Sequence, residues 1–324
     1  MNRSFWLPWV VLAQLFGPHP QALAFAPLDR PDPSTLGPAA SAELVELGKV
    51  LFFDPRLSIN DRLSCASCHN PDLGFSDGLA LGLGTNDGKL GRNTPHLYNL
   101  AWGVRFFWDG RAKSLEEQAL GPVLSPEEMA MDLKVLLPKL QAVPLYAQAF
   151  AKQFPQEGLT AGTVAQAIAA FERTLVVNET PYDRYLQGDK SALDPAAVRG
   201  LTLFKEKAHC AVCHEGPNLT DNGFHNLGLE SPDLGRYQID KRKILYKAFK
   251  TPGLRNIALS APYMHDGSLG TLEAVVRFYN QGGGKGNKDL ELKPLELSER
   301  EIYDLVAFLG SLTQPLGIKR PEIP

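Results

Sequence analysis

Cys65-Ala66-Ser67-Cys68-His69 is the stretch on which the reading of this chain turns. It is a C-x-x-C-H run, and it returns as Cys210-Ala211-Val212-Cys213-His214. The spacing lets two thiols add to the two vinyl groups of one haem, and the adjacent histidine then reaches the iron from one face. A bare C-x-x-C would also fit a zinc site or a redox dithiol. These are, however, all the cysteines in the chain, and each pair carries a histidine directly after it. A zinc site has no need of that histidine twice, and a disulfide scaffold would not confine every cysteine to C-x-x-C. The reading is two covalently bound c-type haems, with His69 and His214 as iron ligands.

A chain of 324 residues can form two domains, each with its own core. Its 44% hydrophobic and 21% charged residues are ordinary for a globular protein. The formal net charge of −3 makes nucleic acid an unsuitable partner. Residues 1–24 read as a secretory signal peptide: Arg3 supplies the positive start, Phe5 to Phe16 is apolar, and Ala22-Leu23-Ala24 fits small-x-small cleavage. Gly17, Pro18 and Pro20 stop the apolar run well short of the roughly 20 residues a membrane span needs. A mature protein without a transmembrane segment, exported to the periplasm, is expected. Covalent haem attachment agrees with export, since that maturation takes place outside the bacterial cytoplasm.

Phe25 to Pro38 is proline-rich and reads as an irregular arm. Leu44, Leu47 and Leu51 then recur at helical spacing behind Ser41, a suitable N-cap, and lead into the first haem motif. Val198, Leu201 and Phe204 lead into the second in the same way. Gly48-Lys49-Val50-Leu51-Phe52 and Gly200-Leu201-Thr202-Leu203-Phe204 echo each other, which implies a duplicated helix and haem-loop unit. The expected division is an N-terminal haem domain over 25–187 and a C-terminal one over 188–324. Residues 70–95 carry no period and read as a long functional loop. Ser125-Pro126-Glu127-Glu128 reads as a helix start. Val164, Ile168, Phe171 and Leu175 mark an amphipathic helix; so do Leu272, Val275, Val276 and Tyr279. In the last helix Ile302, Leu305, Val306 and Leu309 share a side, and Ser298 with Glu301 forms its capping box. No period-2 strand is evident, so the fold class is mainly α.

Three further segments accompany the haem motifs: Arg92-Asn93-Thr94-Pro95, Phe107-Trp108-Asp109-Gly110-Arg111-Ala112 with Ser114 to Ala119, and Pro262-Tyr263-Met264-His265-Asp266-Gly267. In this order they resemble the bacterial di-haem cytochrome c peroxidase and MauG superfamily, from about Leu44 to Leu312. The resemblance implies two cytochrome c-like domains in one periplasmic enzyme that takes oxidising equivalents from hydrogen peroxide. The N-terminal haem would meet the peroxide, and the C-terminal haem would transfer electrons.

By the same resemblance, Trp108 stands where the family has a tryptophan between its haems. On sequence alone the preferred reading is a core aromatic beside Phe106 and Phe107, and the resemblance reverses that preference. Glu128 matches the family's peroxide-site glutamate, a general acid and base for peroxide oxygen. On sequence alone, Ser125 and Glu128 spell a capping box. Gln118 and Pro122 match other residues of that pocket. Asn93, with the backbone carbonyls of Ser260 and Pro262, matches a calcium site, for which oxygen ligands are suitable. Arg111 could hold a haem propionate or form a surface ion pair.

Three departures refine the resemblance. Where the peroxidases fed by a small cytochrome have an axial methionine on the second iron, this chain has Tyr279, as MauG-like members do. A phenolate stabilises higher oxidation states where a thioether favours ferrous iron. On sequence alone Tyr279 could instead be core, with Met264 or His265 as the ligand. Residues 70–95 hold neither histidine nor methionine to block the first iron, and His96 is the first candidate beyond them. Lys207-Ala208-His209 precedes the second haem motif, where MauG has a surface tryptophan relay. The expected function is oxidation of aromatic residues in a periplasmic partner protein with hydrogen peroxide. The alternatives are a cytochrome c peroxidase fed by a small redox protein, and a plain di-haem electron carrier.

Overall fold

A computed structural model describes residues 28–324; the expected signal peptide lies outside the described residues. The described chain is mainly α. In order it forms α1 (Ala42–Phe53), α2 (Cys65–Cys68), α3 (Leu115–Leu124), α4 (Leu133–Gln141), α5 (Pro144–Gln153), α6 (Ala161–Glu172), α7 (Pro181–Leu186), α8 (Pro195–Lys205), α9 (Leu272–Asn280) and α10 (Glu299–Gly310). The only sheet among the described residues is an antiparallel pair, β1 (Phe224–His225) and β2 (Phe249–Lys250). No helix among the described residues is long and apolar enough to cross a membrane.

The sequence echo has a packing cause. α1 lies on α6, and α8 lies on α10. A Cβ at Gly48 would stand 1.7 Å from the Ala167 carbonyl oxygen of α6, and one at Gly200 would stand 1.9 Å from the Asp304 carbonyl oxygen of α10. In both units only glycine allows the haem-leading helix to approach its partner backbone so closely. Around each crossing lies a separate hydrophobic cluster. The first is built on Phe52, Phe75, Tyr146, Ile168 and Phe171; the second on Tyr182, Phe204, Leu254, Leu305 and Phe308. Leu28 also joins the second cluster, while Leu316 and Ile318 pack on the first.

The expected caps form. The Ser41 side chain accepts from Leu44 N–H, and Ser298 with Glu301 makes the reciprocal capping box of α10. Leu175 falls outside α6, which ends at Glu172, although it is fully buried.

No helix begins at Ser125, and this expectation is corrected. Ser125 closes α3 instead, its N–H donating to Gly121 O. The chain then turns back, so that Met129 N–H reaches Pro122 O at 3.1 Å and Met131 N–H reaches Val123 O at 2.9 Å. Those donors satisfy the carbonyls that a helix end leaves without partners. A S-x-x-E spelling is ambiguous about direction, and here it follows a helix rather than starting one. Glu128 therefore has no capping duty.

Candidate active site

Both haem motifs are held by the same local device. Cys65–Cys68 form one helical turn, and His69 follows it with its N–H on Cys65 O at 2.8 Å. His69 Nδ1 then meets the Phe75 carbonyl at 3.0 Å. In the second unit His214 N–H meets Cys210 O at 2.9 Å, and His214 Nδ1 meets Leu219 O at 2.9 Å. Phe75 and Leu219 both have positive φ, 57° and 51°, which bends each loop back over its histidine. A carbonyl on Nδ1 fixes the ring and its tautomer and leaves Nε2 as the nitrogen that could bind a metal. Burial pushes both imidazole pKa values down, which keeps the rings neutral.

Cys65, Cys68 and His69 line a cavity of about 530 Å³. Trp108, Arg111, Gln118, Pro122 and Glu128 line it too. Gln118 and Pro122 are four residues apart on α3 and so share a helix face. The turn after α3 returns Glu128 to that face. Two contacts hold it there: Thr85 N–H donates to Glu128 O at 2.8 Å, and Gly84 lies against the Glu127 carbonyl, where a Cβ would come within 1.8 Å. The otherwise irregular 70–95 loop thus braces the glutamate. Burial raises the Glu128 pKa, against the opposing pull of the Arg111 guanidinium. Arg111 stacks over the Phe107 ring at 3.5 Å and pairs with Asp109 at 3.0 Å.

Cys210, Cys213 and His214 line a second, smaller cavity of about 240 Å³. Tyr279, from α9, lines it with Met264 and His265. Burial pushes the Tyr279 phenol pKa upward, with the two nearby thiols adding to the shift. The His265 ring lies flat against Phe249, with centroids 3.6 Å apart and planes at 12°.

The two cavities share a wall. Asn93, Thr94, His96, Trp108 and Lys250 line both. Trp108 belongs to no hydrophobic cluster among the described residues. Its indole Nε1 donates to Asn93 O at 2.8 Å. Asn93 in turn takes its N–H to His265 O at 2.8 Å, which sets it against the turn carrying Ser260 and Pro262. Its side-chain Nδ2 donates to Leu79 O at 2.9 Å. His96 is fully committed: Nε2 meets Gly253 O at 2.9 Å and Nδ1 accepts from Tyr98 N–H at 3.2 Å. Burial lowers its pKa to about 4.

Residues 42–191 match the family model described as di-haem cytochrome c peroxidase, and residues 197–313 match the one described as cytochrome c. The methylamine utilization protein MauG of Methylorubrum extorquens is 47% identical over 313 residues, covering 95% of this chain and 84% of that protein. The chain belongs to the di-haem cytochrome c peroxidase and MauG family. The cytochrome c551 peroxidase of Pseudomonas aeruginosa is 37% identical over 97% of this chain and 91% of its own. Among solved structures, a MauG-like protein associated with microbial copper homeostasis superposes with a TM-score of 0.79 at 32% identity, covering 92% of this chain and 96% of that one.

Family membership makes the protein an oxidoreductase with two c-type haems, acting with hydrogen peroxide and a partner protein. The residues present fit the two haems. All four cysteines are unpaired, and burial raises the Cys68 pKa to about 11 and the Cys210 pKa to about 12. Each C-x-x-C pair thus has both sulfurs free for thioether bonds, with its histidine directly beside them. Cys213, Asp221 and His225 also bring ligand atoms within 4.8 Å of one another. They make a poor metal site, because both nitrogens of His225 are taken, by Asp221 at 2.8 Å and Asp289 at 2.9 Å.

Sequence reasoning missed several residues of the site. Arg92 ties Asp109, beside Trp108, to Asp233 of the second unit, at 2.7 Å and 2.6 Å. Glu172 is buried at the first cavity with one carboxylate oxygen unpartnered, and burial raises its pKa to about 8. A glutamate closing an otherwise apolar helix face was the available signal. Asp233 as partner of Arg92 and Asp289 as partner of His225 are distant in the chain and left none.

Proposed function

We propose that the protein is a periplasmic, MauG-like di-haem oxidase that uses hydrogen peroxide to oxidise aromatic side chains of a partner protein. The observation that carries the reading is Trp108 as a wall common to both cavities. An indole there can be transiently oxidised, and so can share oxidising equivalents between the two sites. We assign the peroxide-reactive haem to the unit over 25–187 and the electron-transfer haem to the unit over 188–324. His69 would hold the first iron; His214 and Tyr279 would hold the second. Bound haem supplies the redox chemistry with peroxide. Glu128 holds and moves the proton in the first cavity, where burial keeps its carboxyl more basic than usual. Gln118 and Pro122 shape that side of the cavity. We further assign a calcium ion to the Asn93 side-chain oxygen and the carbonyls of Ser260 and Pro262, and export to the signal peptide over 1–24.

A peroxidase fed by a small redox protein is the second reading, favoured by the name and 37% identity of the cytochrome c551 peroxidase. Tyr279 in the second cavity and the commitment of both His96 nitrogens favour the oxidase. The deciding experiment is Trp108→Phe in the holoenzyme. Both haems should remain and respond to peroxide, while oxidation of a protein-borne tryptophan falls sharply. Unaltered steady-state oxidation would remove Trp108 from the mechanism.

A further inference from the structure

The stretch before the second haem motif offers no aromatic exit, since Ala208 is buried and His209 follows it. Another surface reaches both cavities. Residues 233–247 run across their common rim: Gln238 and Ile239 line the first cavity, Lys247 the second, and Asp233 both. The segment is fixed to the loop that carries Trp108. Arg236 donates to Asp109 O at 2.9 Å and Gly110 O at 2.7 Å, and Arg92 holds Asp233.

The outer face of this segment is both apolar and basic. Ile244 is 79% exposed, Ile239 48% and Tyr246 43%. Tyr237 and Tyr246 pack edge to face with centroids 5.6 Å apart. Arg242 is neutralised by Asp240, but Lys241 and Lys243, both exposed, pair with no carboxylate among the described residues. Two uncompensated ammonium groups on a chain of formal charge −3 form a local field of the opposite sign. Rigid tyrosines and exposed isoleucines within such a field have the composition of an interface core with a charged rim.

We propose that residues 236–247 are the docking surface for an acidic face of the partner protein, seating it over the Trp108 wall. The inference rests on the proposed reaction for the existence of a partner. It stands on its own observations for the place and the charge of contact. Electrostatic complementarity there would steer encounter and fix orientation.

The test uses the holoenzyme and two labelled tryptophan peptides, one flanked by glutamates and one by lysines. Binding is read by fluorescence anisotropy and reaction by peroxide-dependent loss of tryptophan emission. At low ionic strength the acidic peptide should bind at least tenfold tighter, and salt should remove the difference. Lys241→Glu with Lys243→Glu should abolish the preference, and Ile244→Ser should weaken binding without changing its salt dependence. Lys134→Glu with Lys152→Glu, the same charge change on α4 and α5, should leave binding intact. All variants should keep the wild-type Soret response to peroxide, which reports folding and haem loading. Equal binding of both peptides, or equal weakening in the α4 and α5 control, overturns the proposal. So does binding of phosphatidylserine vesicles with no binding of either peptide, which would make the segment a membrane contact. An acidic peptide that binds but keeps its emission would support the docking surface and refute the proposed reaction.

Discussion

The indole Nε1 of Trp108 donates to the backbone carbonyl of Asn93 at 2.8 Å. The residue between the two cavities is thus positioned by the residue assigned to calcium. Asn93 is itself held from the other unit, through His265 O. Any ion that fixes Asn93 against Ser260 and Pro262 also fixes the indole between the cavities. Groups just outside a metal's ligands commonly change function by about 10–100-fold when disturbed.

If the proposed calcium ion is bound there, removing it with a chelator should slow partner oxidation by roughly tenfold or more while sparing the peroxide response of the first haem. Stopped-flow Soret changes and tryptophan loss, measured on the same chelated sample, separate the two steps. Re-addition of calcium should restore the second. Equal loss of both steps would place the ion's influence elsewhere.

Glu128→Gln gives a sharper result than its sequence context promised, because no helix depends on this side chain. Thermal stability should be nearly unchanged. Peroxide activation should fall by the ~10²–10⁴-fold typical of acid–base groups. Burial raises the Glu128 pKa, so wild-type activation should be lost as pH falls through that raised value, when the carboxylate base becomes protonated. The glutamine variant should lack this acidic limb. A preserved limb in the variant would assign the titration to another group, with Glu172 on the same cavity the next to examine.

The repeated glycines predict a purely structural effect. Gly48→Ala and Gly200→Ala each put a methyl group inside contact distance of a carbonyl on the partner helix. Overpacking of this kind costs about 1–3 kcal/mol, and backbone oxygen is a poor neighbour to displace. Both variants should melt lower than wild type, whereas Gly88→Ala, with open space around it, should not. A melting temperature unchanged in both would mean that the helices can part at no cost.

These outcomes trace what the chain made legible. The haem loops were readable because covalent attachment demands a fixed local spacing. The helices leading into them were readable because one face must be apolar. The GKVLF and GLTLF echo was legible as a repeat, though its cause, a backbone contact between helices, was not. The placement of Glu128 was misread because a capping-box spelling does not say which side the helix lies on. Trp108 separates from the neighbouring Phe106 core only in three dimensions, where it faces both cavities.

The resting, fully ferric enzyme should react with peroxide without prior reduction. Residues 70–95 supply no histidine or methionine, and the structure now accounts for His96 as well. Its Nδ1 accepts from Tyr98 N–H, so the proton must sit on Nε2, where it is given to Gly253 O. A ring in that tautomer has no lone pair left for iron, and freeing one would break two buried hydrogen bonds. The cost of leaving such partners unsatisfied is about 1–3 kcal/mol each. The first cavity, at about 530 Å³, is also the larger of the two, and Glu128 and Gln118 line it. On the second site, a tyrosine ligand would disfavour the ferrous state that triggers reductive activation. With that ligand in place, a reduction-triggered switch would have neither its latch nor its trigger. The resting electron paramagnetic resonance spectrum should contain one high-spin and one low-spin ferric signal, and peroxide should shift the Soret band at once. Two low-spin signals, with no peroxide response until an electron donor is added, would show that His96 leaves Gly253 to close the first site. That outcome would place the protein with the reductively activated peroxidases.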